Sequence, residues 1–260
     1  MKEHLDITLI QSPLLWEDVN GNLALFEDLI HRYVQKPTLI ILPEMFTTGF
    51  SMNPSQHAEE MNGVSMEWLK AMAAKCKSII TGSLAIKENN AYYNRLVWMQ
   101  PDGHFGYYDK RHLFSYAGED KQFTRGEKRF IAQVNGWKIC TMICYDLRFP
   151  VWSRHQKEQE YDVLIYVANW PQRRSAAWNT LLKARAIENQ CYVIGVNRTG
   201  VDGMNMEYLG DSQVISPMGE VLFHTQDETC VHSFSLFKKE IESVRTQFPF
   251  LNDRDDFVIL

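Results

Sequence analysis

The chain has 260 residues, 45% of them hydrophobic and 23% charged, a balance that excludes a disordered or collagen-like polymer and allows one large or two small domains. A formal net charge of −5 argues against a nucleic-acid partner, which calls for a basic face, and no apolar run approaches the roughly 18 residues of a membrane span. The five cysteines are odd in number and include no CxxC pair, so a disulfide framework or zinc ribbon is not expected and a reducing cytoplasm is.

In chain order, the opening MKEHLDITLIQ carries Glu3 and Asp6 where a secretion signal would be apolar, and it predicts a strand over 5–10. Leu23, Phe26, Leu29, Ile30 and Tyr33 then fall on one face of a helix. A strand over 38–42 follows, and Met66, Leu69, Lys70, Ala73 and Ala74 mark a second helix. Strands over 78–86 and 92–99 flank the hairpin KENNAYYN; strands over 129–134 and 138–143 flank VNGW. After a strand over 162–167, Trp178, Leu181, Leu182, Arg185 and Ile187 predict a third helix with Ser175 as its cap. Strands over 192–197, 207–215 and 220–223 complete the series. The runs LIIL and VLIYV are apolar without alternation, as in strands covered on both faces. No linker, repeat or charge block divides the chain. The expectation is one α/β domain over residues 1–260, with a mixed sheet or two packed sheets.

Three segments place a reactive residue directly after an apolar strand, where active sites of α/β folds collect. They are LIILPEMF with Glu44, FGYYDKRHLF with Lys110, and ICTMICYDLRFP with Cys144. Alone, each has an ordinary reading: a helix-capping carboxylate, a solvated lysine, a packed thiol. Together they form a nucleophile, an electrostatic stabiliser and a general acid/base, because a thiol attacks as thiolate, an ammonium favours that form and a carboxylate accepts its proton. Sequence spacing does not show that they converge.

These segments resemble the signature of the nitrilase superfamily of carbon–nitrogen hydrolases, in Pro43-Glu44-Met45-Phe46, Asp109-Lys110-Arg111-His112-Leu113 and Cys144-Tyr145-Asp146-Leu147-Arg148-Phe149-Pro150. The stretches 184–190, 210–212 and 217–220 extend the likeness over nearly the whole chain. CYDLRFPVWSR, YVANWP and LFSYAGEDKQFTRGE are most similar to the bacterial ω-amidase branch, which hydrolyses ω-amides of α-keto dicarboxylic acids such as 2-oxoglutaramate and 2-oxosuccinamate. With no HExxH and no Cys/His pair at ligand spacing, a metal is not expected. The resemblance implies a four-layer α-β-β-α sandwich with two mixed β-sheets and a cofactor-free enzyme. It also implies a homodimer or higher homo-oligomer, with an apolar tail from about residue 246 (Phe248, Phe250, Leu251, Phe257, Ile259, Leu260) packed on the partner. Alternatives on the same scaffold are a nitrilase, a carbamoylase, an aliphatic amidase or a non-catalytic interaction protein.

The resemblance assigns Cys144 as nucleophile, Glu44 as general base and Lys110 as oxyanion stabiliser, aided by the backbone N–H of Tyr145. Glu119 matches the family's second glutamate and is expected to orient Lys110 or the substrate. Phe46, Asn169 and Trp170 are expected to form the substrate wall. Arg173 and Arg174 are the expected partners of a substrate carboxylate, since a guanidinium pairs with it bidentately. Asp146 and Arg148 are expected to scaffold the nucleophile by an ion pair or hydrogen bonds, and His112 to lend a hydrogen bond. Cys140 and Trp178 are expected to pack in the core.

Overall fold

A computed structural model describes residues 3–35, 37–156 and 159–259. Leu260, counted above in the apolar tail, lies outside them. The elements in order are β1 (His4–Gln11), α1 (Val19–Tyr33), β2 (Leu39–Ile41), α2 (Pro54–His57), α3 (Val64–Cys76), β3 (Ile79–Glu88), β4 (Ala91–Met99), β5 (Phe105–Asp109), α4 (Glu119–Gln122), β6 (Ile131–Val134), β7 (Trp137–Ile143), α5 (Pro150–Ser153), β8 (Val163–Val167), α6 (Ser175–Asn189), β9 (Tyr192–Val196), β10 (Thr199–Val201), β11 (Glu207–Ile215), β12 (Val221–Gln226), β13 (Cys230–Phe237) and α7 (Lys238–Gln247).

The strands form two mixed sheets. One runs β13-β1-β2-β3-β4-β5; the other runs β10-β11-β9-β8-β7-β6, with β12 paired to β11. The parallel strands β1, β2 and β3 sit inside the first sheet, and β7, β8 and β9 inside the second. Strand alternation sorts the core into layers. Leu39 and Ile41 face the second sheet in one cluster with Ile139, Ile143 and Val163, whereas Ile40 and Leu42 pack under α1 and α3 with Phe26, Ile30, Leu69 and Met72. Helix α6 covers the second sheet through Trp178, Leu182 and Ala186. The result is the α-β-β-α sandwich, and LIIL is apolar throughout because both of its faces are covered.

The hairpin residues have a geometric reason. Asn89 and Asn90 both take positive φ (50° and 62°), as do Asn135 and Gly136 (52° and 87°), the geometry of two-residue turns that match strand twist. Several expectations need correction. Ser175 is the first residue of α6 and not its cap; the cap position is Arg174, which makes no side-chain capping bond. Tyr33 and Ile187 are exposed, and in α3 the buried face takes Met72 in place of Lys70 and Ala74. The strands β10 and β13 were not among those expected. Among the described residues no helix is long and apolar enough to cross a membrane. In the tail Leu251 is buried and Ile259 packs on the core, while Phe250 and Val258 are exposed.

Candidate active site

The site lies past the carboxyl ends of the parallel strands, where an open α/β crevice forms. Glu44 follows β2, Cys144 follows β7, Asn169 follows β8, and Lys110 follows the edge strand β5. Glu119 opens α4 behind Gly118, whose φ of 78° turns the chain inward. Met45 and Cys144 both hold φ of 43°, uncommon for residues with a Cβ and of the kind that concentrates at functional sites. Cys144 begins a 3₁₀ turn through Arg148, so the elbow projects its thiol into the cleft.

The fold brings the four reactive groups together. Lys110 Nζ is 2.9 Å from Glu44 Oε1 and 3.0 and 2.9 Å from the two oxygens of Glu119. All three side chains are fully buried. Glu44 Oε2 accepts from the backbone N–H of Asn169 at 2.7 Å, and Glu119 Oε2 from that of Phe114 at 2.6 Å. Asn94 Nδ2 donates to Glu44 Oε1 at 2.8 Å and to Glu119 Oε1 at 3.2 Å. Cys144 Sγ lies 4.0 Å from the Asn169 carbonyl oxygen.

A carboxylate has about four acceptor sites, two on each oxygen. Glu119 accepts Lys110 and Asn94 on Oε1 and Lys110 and Phe114 on Oε2, so it is saturated. Glu44 accepts Lys110 and Asn94 on Oε1 but only Asn169 on Oε2, which leaves one site open. The two carboxylates are thereby made unequal.

Burial works against the Lys110 ammonium, but Glu119 and Glu44 outweigh it and lift its pKa above the ordinary lysine value. Burial also raises Glu119, with Lys110 opposing. The Cys144 thiol stands well above its usual value, first through burial and then through Glu44, with Lys110 opposing. Lys110 acts toward thiolate, as expected, but burial and Glu44 outweigh it and favour the thiol. A proton must leave Cys144 before it can attack. Cys140 is buried in the core with its thiol pushed up to about 12, and packs as expected.

A cleft of about 300 Å³ opens over Cys144, lined among others by Phe50, Phe114, Tyr145, Asn169, Trp170 and Tyr208. Arg148, Arg173 and Arg174 also line it. Phe46 does not: it is fully buried beneath the sheet, packed against Phe26 and Trp68. The positive φ at Met45 reverses the chain after Glu44, and Phe50 and not Phe46 reaches the cleft. Arg148 also departs from expectation. It makes no scaffold ion pair among the described residues and lies over the Trp170 ring at 5.0 Å, facing the cleft. The scaffold is Asp146 alone, which accepts from Tyr108 Oη (2.7 Å), Ile143 N (3.0 Å), His112 N (3.0 Å) and His112 Nδ1 (2.8 Å). It ties the Lys110 segment to the Cys144 elbow. Asn94, Ser83 and Phe50 were not singled out from sequence. A polar pair at fully buried positions inside the strands β3 and β4 was the available signal for the first two.

The α-β-β-α sandwich thus carries at its crevice a thiol, an ammonium and two unequal carboxylates. Residues 6–238 match the carbon-nitrogen hydrolase family, and the chain belongs to it. It is 42% identical over 257 residues to Omega-amidase YafV of Yersinia enterocolitica, covering 98% of this chain and 99% of that one. It is 32% identical over 250 residues to a 2-oxoglutaramate amidase of Bacillus subtilis, covering 95% and 96%. A crystal structure of a CN-hydrolase superfamily protein from Xanthomonas campestris, with an arsenic adduct in its active site, superposes with a TM-score of 0.97 at 39% identity over the full length of both chains.

Proposed function

We propose that this enzyme is an ω-amidase, removing ammonia from the terminal carboxamide of small α-keto acid ω-amides such as 2-oxoglutaramate and 2-oxosuccinamate. The observation that carries the substrate class is the set of cations around the cleft. The ion-paired arginines of the described chain are Arg32, Arg95, Arg185, Arg245 and Arg254, so Arg148, Arg173 and Arg174 have no carboxylate of their own. Two are held by aromatic rings, Arg148 over Trp170 (5.0 Å) and Arg174 over Phe114 (4.9 Å). Burial, then Arg173 and Arg148, lower the Arg174 pKa, so an anion in the cleft relieves a mutual repulsion. The names of the relatives, Omega-amidase and 2-oxoglutaramate amidase, agree with a substrate that has a carboxylate at one end and an amide at the other.

In this reading Glu44 takes the Cys144 proton at the open site on Oε2. Sulfur attacks the amide carbon; the Tyr145 N–H, in the first turn after the elbow where helical donors are free, donates to the oxyanion, and the Lys110 ammonium stabilises it through its charge. Glu44 returns the proton to the nitrogen as ammonia leaves a thioester, then draws a proton from the water that hydrolyses it. Saturated Glu119 keeps Lys110 aimed. Asn169 Oδ1, buried without a partner among the described residues, is an acceptor for the substrate amide beside Trp170. No cofactor takes part. The cysteines are all free, in keeping with a cytoplasmic enzyme, and the exposed Phe250 and Val258 support a homodimer joined through the tail from about residue 246.

The test is ammonia release from a panel of α-keto ω-amides, amino-acid amides, carbamoyl compounds and nitriles. The α-keto ω-amides should give the highest kcat/KM. Cys144→Ala should abolish release with the fold intact, and a slow substrate should leave an acyl adduct on Cys144 alone in mass spectra. Substantial turnover by Cys144→Ala would remove the thioester, and preference for plain aliphatic amides would remove the ω-amidase assignment.

A further inference from the structure

Asn94 touches three members of the buried cluster and belongs to none of the roles above. Its backbone carbonyl accepts from the Lys110 N–H at 3.0 Å, and its side-chain nitrogen donates to both Glu44 and Glu119. It is fully buried and does not line the cleft. The network fixes which way its amide points. Ser83 Oγ accepts from the Met45 N–H at 2.8 Å, so the hydroxyl hydrogen goes to Asn94 Oδ1, also at 2.8 Å. The amide nitrogen is thereby left facing the two carboxylates.

A neutral donor is what this position requires. Two carboxylates share one ammonium in a fully buried space, so their repulsion is only partly balanced. A carboxylate here would add to the repulsion; an apolar residue would leave an acceptor site unfilled on each glutamate. The asparagine fills one site on Glu44 Oε1 and one on Glu119 Oε1. Without it Glu119 loses saturation and Glu44 gains a second open site on the oxygen turned toward Lys110. We infer that Asn94, oriented by Ser83, is a positioning residue that makes the carboxylates unequal, leaving Glu44 Oε2 as the one open acceptor for the Cys144 proton. This rests on the cysteine amidase reading and adds to it the element that separates base from orienter.

The groups that titrate around Asn94 are Glu44, Glu119, Lys110 and, beyond them, Cys144. The neighbouring Arg95 points to the opposite face of β4 and pairs with Asp109 and Glu88. A donor to a carboxylate favours its ionised form, so removing it makes both glutamates easier to protonate.

The experiment compares wild type, Asn94→Asp, Ser83→Ala and Cys144→Ala, using 2-oxoglutaramate hydrolysis and iodoacetamide alkylation of Cys144, each against pH. Asn94→Asp keeps the shape and the acceptor for Ser83 but replaces the donor by an anion. It should lower kcat roughly 100-fold at neutral pH, the scale of a misplaced catalytic group. KM should stay within about twofold, because Asn94 does not reach the substrate. The acid limbs of hydrolysis and alkylation should both move to higher pH by at least about one unit. Ser83→Ala should move the limbs the same way with a loss of about tenfold. A folded Asn94→Asp that keeps wild-type kcat and limbs, or loses kcat with unmoved limbs, overturns the proposal. If Asn94→Asp does not fold, Ser83→Ala decides: unchanged rate and limbs overturn it. Hydrolysis surviving in Cys144→Ala sinks the amidase mechanism itself, a separate outcome.

Discussion

Arg148 and Arg174 are each held over an aromatic ring on the cleft wall, which gives two guanidiniums a fixed place before any substrate arrives. A cation so placed loses little entropy on pairing with a carboxylate. Arg174→Ala and Arg148→Ala should each raise KM for 2-oxoglutaramate by roughly 30- to 150-fold, the loss of about 2–3 kcal/mol for a charged hydrogen bond. A neutral amide without the carboxylate should be affected far less. Steady-state kinetics on both substrates checks this; equal losses on both would give the arginines a structural role. At this scale the reactive residues were legible because each follows an apolar strand within a recognisable segment. Their convergence was not, since Glu44 and Cys144 are joined only by the sheet packing. Phe46 was misread because the reversal at Met45 is a backbone property that four letters, PEMF, do not display. Arg148 was misread because an arginine two residues from Asp146 suggests a pair, whereas Asp146 is already filled by Tyr108, Ile143 and His112.

Among the elements, α6 shows how the second sheet carries its helix. Gly195 lies inside β9, and a Cβ there would come within 2.5 Å of Leu182 Cδ1 and 2.7 Å of Trp178 Cζ2. The glycine lets the helix sit down on the strand, and Trp178 Nε1 then donates to the Asp211 carbonyl at 2.9 Å. Gly195→Ala should destabilise the fold by about 1–3 kcal/mol through overpacking. The urea midpoint should fall with an unchanged slope; an unmoved midpoint would mean that α6 is not seated so closely. Long strands and helices were readable from composition and period. The strand β13 was not: its burial is partial along most of its length, so CVHSFSLF lacks a clean apolar face. The strand β10 has three residues, too few to show a pattern, and is held by its pairing with β11.

The whole molecule is closed by α7 and the tail, which return to the end of α6 and the loop before β8. Arg245 donates to the carbonyls of Gln190 and Tyr161, and Gln190 Nε2 to that of Phe248. His155 lies inside this closure. It is fully buried, neither ring nitrogen has a partner among the described residues, and its ring meets Tyr161 edge-on at 4.1 Å. Burial first, and then Arg245, Arg154, Arg254 and Arg129, hold its pKa well below the ordinary 6.5. The native state therefore keeps His155 neutral at pH values where the unfolded chain binds a proton. The unfolded state then carries more protons, so stability is full above about 6.5 and falls with pH below it, by up to about 1.4 kcal/mol per unit from this one group. His155→Phe keeps an aromatic ring of similar size against Tyr161 without the titration. Denaturant midpoints measured at several pH values from 7.5 to 5 should slope less steeply for His155→Phe than for wild type. The two lines should converge toward the upper end of that range. Parallel lines would show that the histidine is accessible to protons in the native state and that the acid sensitivity of the fold comes from other groups.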